Sequence, residues 1–345
     1  MPALPFAGVW SPVHQVFQRL TIITPKEAKV TIGLDVGSTC VKAVALGAPR
    51  KSGGPRALLG HQLVALPPSP DPDIGDAVKR AVTALGAPTH AINLSVSGQW
   101  VIMRIVEMVT MKPEEMKQAL PFEAQRYMPF TIQDVVIDGV VLGPSEAGKT
   151  WVLVVACKKD LIERRMDAVK HAGFETALID VDALAVANAF LSTRNGRNPN
   201  ETCAIVNIGH QLTNLVVFRG AIPYLVRDVP WGGEKFIRST AEQIGRPSAD
   251  VAKALGDGSS EPELLKAVKL ACELLVTELQ LSFDYFENRF GQPPETLLVS
   301  GGLPLYPGFL DALKSHLTQP VTLWSPAEGL TAQFAVAYGL ALRTS

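Results

Sequence analysis

The chain has 345 residues, of which 47% are hydrophobic and 19% charged, and its formal net charge is −1. This composition is typical of a well-packed globular protein of two or three domains, and it excludes an intrinsically disordered chain. The lack of a basic excess argues against direct nucleic-acid binding, and no run of 18 apolar residues predicts a membrane span.

The cysteines and the N-terminal residues favour a cytoplasmic protein. None of the four cysteines forms a Cys-x-x-Cys pair, and three lie in apolar runs, which is typical of buried thiols in a reducing compartment. Residues 1–28 lack the charged-then-apolar order of a signal peptide and are interpreted as a leader. A short apolar patch at 16–23 leaves open a contact with a partner or a membrane surface.

The first ordered segment predicts a β-rich lobe. Two runs rich in β-branched residues, 30–36 and 41–46, flank the turn Gly37-Ser38-Thr39. The segments that follow predict a strand, a helix and a strand, over 57–66, 74–85 and 90–97. With a later strand and helix at 175–181 and 182–191, they form a first lobe that spans 29–92 and 174–198.

Between the two parts of this lobe lies a segment with its own rhythm of elements. Its order is strand, helix, strand, strand, helix, over 99–107, 112–128, 135–142, 151–157 and 160–172. Met116, Leu120 and Tyr127 share one face of its first helix. This order predicts a small α+β subdomain inserted at 93–173.

The second half predicts another lobe, over 199–345. The polar stretch 192–201 reads as a loop and a hinge between the lobes. Three strands follow, and residues 261–290 predict one long helix. The remaining predicted elements are a strand at 296–299, a helix at 307–317, a strand at 321–324 and a last helix from Ala332.

One sequence pattern occurs twice. Residues 34–46 read LDVGSTCVKAVAL and residues 206–218 read VNIGHQLTNLVVF, so that Asp35 and Asn207 stand at matching places. Each copy predicts a strand, a tight polar turn and a returning strand, whose backbone N–H groups form a nest for an anion. A single copy is most often an ordinary β-hairpin. Two copies that face each other predict a clamp for a triphosphate and Mg²⁺.

A glycine-containing segment follows towards the C-terminal end. In LLVSGGLPLYPGF, residues 297–309, a short strand ends at Ser300-Gly301-Gly302 and a helix follows. Glycines at this place let the chain lie flat against a base or a ribose, and the alternative is a tight strand-to-helix turn. Downstream of the two hairpins, the segment predicts a third wall of a nucleotide site.

These motifs resemble those of the actin-like ATPases, and longer segments resemble the PilM family of type IV pilus assembly. The nucleotide motifs, in chain order, are Asp35-x-Gly37-Ser38, Asn207-x-Gly209 and Gly301-Gly302. The segments similar to PilM proteins are ALPFEAQRYMPF (119–130), IDVDALAVANAF (179–190) and RDVPWGGEKF (227–236). The resemblance covers about residues 30–343. It implies an α/β fold with two actin-like (ribonuclease-H-like) lobes around a nucleotide cleft and a small inserted α+β subdomain.

The resemblance also implies roles for single residues. It implies that Asp35 holds Mg²⁺ through water and that Asp182 orients the attacking water. Lys42 is expected either to reach the phosphates or to point to solvent. The other positions implied to bind ATP are Gly37, Ser38, Thr39, Asn207, Gly209, Thr213, Gly232, Gly233, Asp250, Lys253, Gly301 and Gly302.

The second hairpin departs from the family pattern at Asn207, where the phosphate-2 motif begins with Asp in most relatives. An amide has the shape of a carboxylate but no negative charge, so it weakens metal coordination and water activation more than phosphate contact. We therefore expect ATP binding with weak or absent hydrolysis. The neighbouring His210 is expected to be a surface-loop histidine, with a phosphate contact as the alternative.

Residues 143–150, GPSEAGKT, match the P-loop pattern G-x-x-x-x-G-K-T. A P-loop requires a helix to begin at the Lys-Thr so that the helix N-terminus faces phosphate. The sequence WVLVVA follows here and predicts a strand, so the match is interpreted as a hairpin loop.

The function that the resemblance implies is that of a cytoplasmic ATP-binding scaffold, peripheral at the inner membrane. Its implied partners are the N-terminal cytoplasmic tail of PilN and other platform or motor proteins of the pilus, and the sequence leaves self-association open. An FtsA-like division protein is one alternative. That family usually ends in an amphipathic, membrane-binding helix, and this sequence stops two residues after Arg343, which argues against it unless residues 17–23 do the same job. A small-molecule kinase of the same superfold, with Asp182 as general base, is another.

Overall fold

The computed structural model describes residues 30–49, 56–69, 72–89, 91–193, 198 and 200–344. The predicted leader at 1–28 and its apolar patch lie outside the described residues, as do residues 194–197 and 199 of the predicted hinge. The elements of the first half are, in order, β1 Val30–Val36, β2 Cys40–Pro49, β3 Arg56–Ala65, α1 Ile74–Ala84, β4 Ala91–Val96, β5 Val101–Val109, α2 Pro113–Gln125, β6 Val135–Pro144, β7 Lys149–Lys158, α3 Lys159–His171, β8 Glu175–Val181 and α4 Asp182–Ser192.

The second half contains the elements of the other lobe and a returning C-terminal helix. In order they are β9 Thr202–Ile208, β10 Thr213–Arg219, β11 Ile222–Val229, α5 Gly233–Ile244, α6 Ser248–Gly256, α7 Pro262–Ala271, α8 Glu273–Phe290, β12 Thr296–Gly301, α9 Phe309–His316, β13 Val321–Leu323 and α10 Ala335–Leu342. Short 3-10 turns occur at Ile132–Asp134, Leu303–Leu305 and Ala332–Phe334.

The two lobes share one sheet topology, which confirms the predicted α/β fold with paired lobes. The first sheet has the strand order β3-β2-β1-β4-β8 and the second has the order β11-β10-β9-β12-β13. In both, three antiparallel strands are followed by two that run parallel to the central one. The hairpins β1–β2 and β9–β10 therefore occupy equivalent places, as the repeated sequence pattern predicts.

The helix α4 lies between the lobes and is buried along almost its whole length. It contacts strands of both sheets, and its residues Ala183–Phe190 are all buried. An amphipathic helix would leave one face to solvent, whereas the sequence ALAVANAF is apolar nearly all round, as a central helix requires.

The C-terminal helix α10 departs from the predicted division of the chain, because it packs on the first lobe although residues 199–345 were assigned to the second. It contacts α4 and β1, and a Cβ on Gly339 would lie 1.8 Å from the carbonyl oxygen of Ala185. The Asn93 side chain donates to the carbonyl oxygens of Leu340 and Arg343 at 2.8 and 2.9 Å. Only glycine permits this close approach of the two helices.

The inserted subdomain has the predicted order of elements. Its sheet has the strand order β5-β7-β6, and α2 packs on that sheet through Met116, Leu120 and Ala124. Tyr127, which we placed on the same helix face, is instead 40% exposed because α2 ends at Gln125. The apolar face of α2 is thus the core of the subdomain.

The predicted long helix over 261–290 is wrong, because two helices, α7 and α8, meet at Cys272. The Cys272 N–H donates to the Lys269 carbonyl oxygen, three residues back, which tightens the chain at this point. Neither glycine nor proline marks the break, so the apolar period runs through it.

Among the helices of the described residues, none combines the length and the apolarity needed to cross a bilayer.

Candidate functional site

A cavity of about 580 Å³ lies between the two lobes. The hairpin β1–β2 lines one side, and the hairpin β9–β10 lines the other. The predicted residues that line it are Asp35, Gly37, Ser38, Thr39, Lys42, Asp182, Asn207, Gly209, Gly301 and Gly302. Its volume falls in the range of about 300–1,000 Å³ that is typical of small-molecule sites.

The first hairpin carries an ion pair into the cavity. Asp35 on β1 and Lys42 on β2 are directly opposite each other in the antiparallel ladder, and Lys42 Nζ donates to Asp35 Oδ2 at 2.7 Å. Burial opposes the charged form of Lys42, but the attraction and hydrogen bond to Asp35, with smaller contributions from Cys40 and Asp182, together outweigh it, so the pKa of Lys42 is raised. Lys42 therefore stays protonated and faces the cavity, which decides between the two orientations that the sequence left open.

Asp182 begins α4 and points into the same cavity. Burial and the nearby Asp35 carboxylate raise the pKa of Asp182 to about 6, against its ordinary value of 3.8. Hydrogen bonds from the Ser95 and Ser97 side chains oppose this rise. A bound cation would stabilise the charged form of Asp182, which burial and the second carboxylate disfavour.

The second hairpin carries a neutral pair at the equivalent register. Asn207 on β9 is directly opposite Asn214 on β10, and Asn207 Nδ2 donates to Asn214 Oδ1 at 2.9 Å. Asn214 Nδ2 in turn donates to Asp228 Oδ1 on β11 at 2.8 Å. The positions that hold Asp35 and Lys42 in the first hairpin thus hold two amides in the second.

The sequence predicts that Thr213 binds ATP, but the structure does not bring its side chain to the cavity. Its hydroxyl donates to the Trp231 carbonyl oxygen at 2.8 Å, and the residue is fully buried. Successive side chains of a strand point to opposite faces, so the cavity receives Asn214 in its place.

Gly232 and Gly233 lie behind the turn of the second hairpin and do not line the cavity. The N–H of Gly233 donates to the Gly209 carbonyl oxygen at 3.0 Å. The next N–H, of Glu234, donates to the His210 carbonyl oxygen at 2.7 Å. A Cβ on Gly232 would lie 2.7 Å from both of these carbonyl oxygens, so glycine is required for α5 to hold the turn.

His210 differs from the surface-loop histidine that we expected, because it is half-buried and lines the cavity. Its ring packs against Gly233, with Nδ1 3.1 Å from the position of an added Cβ. Burial lowers the pKa of His210, which favours the neutral ring. A neutral imidazole donates one hydrogen bond and carries no charge to a phosphate.

The third wall of the cavity is the end of β12. Gly301 and Gly302 line it together with Gln333, in the 3-10 turn before α10, and Val336, in the first turn of α10. Asp250 and Lys253 are also predicted to bind ATP, but both are exposed on α6 and neither lines the cavity. The α6 helix contacts α5, on the far side of the hairpin turn.

The structure confirms that the P-loop match is a β-hairpin. Lys149 is the first residue of β7, and no helix follows it. Its ammonium lies 3.5 Å from the Glu146 carboxylate and 3.9 Å from that of Glu107, within the inserted subdomain. The segment lines neither the cavity between the lobes nor the groove described next.

A larger groove, of about 840 Å³, separates the inserted subdomain from the second lobe. Two edge strands border it, β5 of the small sheet and β11 of the second lobe. Ser97, Gln211 and Leu212 line both this groove and the cavity between the lobes. The two concave sites therefore share a wall.

Several residues of these sites were missed by sequence reasoning. Asn214 follows from strand alternation and the register with Asn207, so that signal was present in the sequence. Arg165 on α3 also lines the cavity, although no motif marks it. Asp228 joins the second hairpin to Gly98, 130 residues away in the chain, and no local pattern indicates that contact.

The sequence matches a known family over nearly its whole length. The family model described as type IV pilus assembly protein PilM matches residues 33–345. The chain belongs to the PilM family. This membership makes it a type IV pilus assembly protein and agrees with the PilM-like segments found in the sequence.

Solved structures show that the PilM-family chain has an actin-like fold. A PilM–PilN type IV pilus biogenesis complex matches with a TM-score of 0.77 at 24% identity, covering 91% of this chain and 98% of that chain. The ethanolamine utilization protein EutJ from Carboxydothermus hydrogenoformans matches with a TM-score of 0.54 at 15% identity, covering 93% of this chain and 92% of that chain. At these identities the matches describe the fold of the chain.

Proposed function

We propose that this protein binds ATP with Mg²⁺ in the cavity between its lobes. The observation that carries the proposal is the pair of facing hairpins, with Asp35 and Lys42 on one and Asn207 and Asn214 on the other. The turns at Gly37 and Gly209 supply backbone N–H groups on both sides of the cavity. The third wall at Gly301–Gly302 leaves room for the base or ribose.

The residues present fit a divalent cation and a triphosphate. Asp35 and Asp182 bring two carboxylates to one cavity, and burial together with the nearby Asp35 carboxylate raises the pKa of Asp182. Hard cations such as Mg²⁺ take carboxylate and water oxygens. Asp35 would hold the ion through water, Lys42 would contact phosphate oxygens, and bound Mg²⁺ would neutralise phosphate charge.

We propose that hydrolysis is weak or absent, because Asn207 provides no carboxylate on the second side of the cavity. Its amide is engaged with Asn214 and lacks the charge that would activate a water molecule. Steady phosphate release by the wild-type protein and by Asn207→Asp tests this. A higher rate in the variant supports the explanation, and an equal rate assigns the low turnover to another residue.

Calorimetric titration with ATP, with and without Mg²⁺, tests the nucleotide site. Asp35→Asn keeps an acceptor for Lys42 and removes the charge, so we expect roughly 10-fold weaker ATP binding in Mg²⁺ and little change without it. The matched control is Asp311→Asn, whose side chain is 85% exposed on α9. Unchanged binding of Mg²⁺-ATP to Asp35→Asn would remove Asp35 from the metal site.

We also propose that the protein is a cytoplasmic scaffold, held at the inner membrane through the N-terminal cytoplasmic tail of PilN and linked to other proteins of the pilus platform or motor. Family membership and the match to a PilM–PilN complex support this. The groove between β5 and β11 is the best candidate for the tail. Edge strands present backbone N–H and C=O groups that an extended peptide can pair with.

The decisive experiment is calorimetric titration of the organism's own PilN tail, as a peptide, into the protein with and without Mg²⁺-ATP. Saturable binding supports the scaffold function, and a dependence on nucleotide shows that ATP acts as a switch. No binding in either condition, with ATP still bound, would favour an FtsA-like protein or a kinase.

A pair of variants tests the position of the peptide. Ile102→Asp places a charge in the groove on β5, and Val109→Asp places the same charge on the same strand where the residue is 65% exposed and does not line the groove. We expect loss of peptide binding for Ile102→Asp alone. Equal binding by both variants would move the tail to another surface.

A further inference from the structure

We infer that Arg165, on helix α3 of the inserted subdomain, is a phosphate-binding residue of the nucleotide site. The inference rests on the proposed ATP site and extends it to a third part of the molecule. The sequence motifs place every nucleotide contact in the two lobes, whereas Arg165 reaches the same cavity from the inserted subdomain.

The packing of α3 on α1 places Arg165 beside the first hairpin. Gly75, near the start of α1, lies against Ala168 and His171 of α3. Arg165 lies on the same face of α3 as Ala168, one turn earlier, and it lines the cavity together with Ile74, the first residue of α1. This is the wall next to the turn of the first hairpin.

A backbone contact fixes that wall to the phosphate end of the cavity. The Leu66 N–H donates to the Thr39 carbonyl oxygen at 2.8 Å, so the segment that leads to α1 is joined to the turn at 37–39. Leu66, Ser69 and Pro72 of this segment line the cavity. The proposed base and ribose wall, at Gly301–Gly302, belongs to the other lobe. Arg165 therefore faces the phosphates beyond the α-phosphate.

Within the part of the chain that the structure describes, the guanidinium group of Arg165 has no acceptor. Its Nε is buried and has no hydrogen-bond partner among these residues. No carboxylate of the described ranges forms a salt bridge with it, whereas Lys42, the other cation of the cavity, is paired with Asp35 at 2.7 Å. A buried donor without an acceptor is energetically unfavourable, and a bound anion would accept its hydrogen bond.

Phosphate is the anion that fits this group. The planar fork of a guanidinium matches two oxygens of a phosphate group and gives stronger hydrogen bonds than neutral donors do. The cavity already holds the carboxylates of Asp35 and Asp182, so a triphosphate brings negative charge that one paired lysine does not balance. Arg165 supplies that additional positive charge.

This contact also connects the nucleotide to the groove. The subdomain that carries Arg165 contributes β5 to the border of the groove, and β7 leads into α3 without a loop. A phosphate held by Arg165 therefore fixes the position of one groove wall relative to the first lobe. Ligands that stabilise the same arrangement of two parts bind with positive coupling.

Calorimetric titration of the full chain with ATP, ADP and AMP in Mg²⁺ tests the inference on wild type, Arg165→Ala, Arg165→Lys and Arg164→Ala. Arg164 is the matched control, because it is exposed on the same helix and its Nε donates to the Asp160 carbonyl oxygen. We expect Arg165→Ala to weaken ATP binding roughly 10-fold or more and to leave AMP binding unchanged. Arg165→Lys should lie between, and Arg164→Ala should match wild type.

The nucleotide series separates the outcomes. If Arg165→Ala weakens the binding of ATP alone, Arg165 contacts the γ-phosphate. If it weakens the binding of both ATP and ADP, Arg165 contacts the β-phosphate. Both results support the inference. Unchanged ATP binding by Arg165→Ala, or an equal loss for ATP, ADP and AMP, would overturn it. If the wild-type protein binds none of the three, the proposed nucleotide site itself fails. Equal thermal unfolding midpoints for the two alanine variants would show that the fold is retained.

Discussion

The backbone N–H of Gly98 donates to Oδ2 of Asp228 at 2.8 Å. Gly98 lies three residues before the start of β5, the first strand of the inserted subdomain, and has a φ of +94°. The other carboxylate oxygen of Asp228 accepts from Asn214, which accepts from Asn207 in the cavity. A continuous row of hydrogen bonds across β9, β10 and β11 thus joins the cavity between the lobes to the segment that enters the inserted subdomain.

Asp228→Ala should lower the free energy of unfolding by about 1–3 kcal/mol, because it leaves two partly buried donors without an acceptor. Asp228→Asn should cost less, since its carbonyl oxygen still accepts one hydrogen bond. Urea denaturation measures both, with Asp284→Ala on the exposed face of α8 as the control. Equal stability of Asp228→Ala and Asp284→Ala would show that the row contributes nothing.

Asn207→Asp should also destabilise the protein, by about 1–3 kcal/mol, because a carboxylate cannot donate to Asn214 Oδ1. Combining it with Asn214→Lys recreates, at the same register, the ion pair of Asp35 and Lys42. We expect the double variant to be more stable than Asn207→Asp alone. Chemical denaturation of the two variants compares them, and a further loss in the double variant would contradict the equivalence of the hairpins.

Asp182→Asn should stabilise the nucleotide-free protein at pH 8. The pKa of Asp182 in the folded protein is about 6, above the ordinary 3.8, so the native state binds this proton more tightly than the unfolded chain does. Its carboxylate therefore lowers stability as the pH rises from about 4 to 6, and the penalty is complete above 6.

The measurement for Asp182→Asn is the free energy of unfolding at pH 4 and pH 8, compared with wild type. We expect the free energy of unfolding of the variant minus that of wild type to be larger at pH 8 than at pH 4, by at least about 1 kcal/mol. Burial also raises the pKa of Asp228, but both proteins contain this residue, so its contribution cancels when the variant is compared with wild type. A gain that does not change with pH would contradict the assignment.

Lys149→Ala should leave ATP binding unchanged, because Lys149 begins a strand and its ammonium faces Glu146 and Glu107 in the inserted subdomain. Lys42→Ala should weaken ATP binding roughly 10-fold, because it removes a cavity cation. Calorimetric titration of both variants with Mg²⁺-ATP measures the contrast. Loss of binding in Lys149→Ala would restore the P-loop interpretation of residues 143–150.

Local patterns in the sequence predicted most of the secondary structure and the places of the two hairpins. Strand alternation and turn residues are properties of neighbouring positions, and they mark β1–β2 and β9–β10 directly. The break at Cys272 could not be predicted in the same way, because no helix-breaking residue stands there. Thr213 was placed by its position in a motif, although alternation along β10 would have selected Asn214.

The sequence by itself determined the fold class, the family and the positions of the two hairpins that line the cavity, since these depend on residues that are close in the chain. Only the tertiary structure decided which distant segments meet. The return of α10 to the first lobe, the bond between Gly98 and Asp228 and the arrival of Arg165 in the cavity each join elements that are far apart in sequence. Such contacts follow from the packing of whole elements against one another, which no local spacing records.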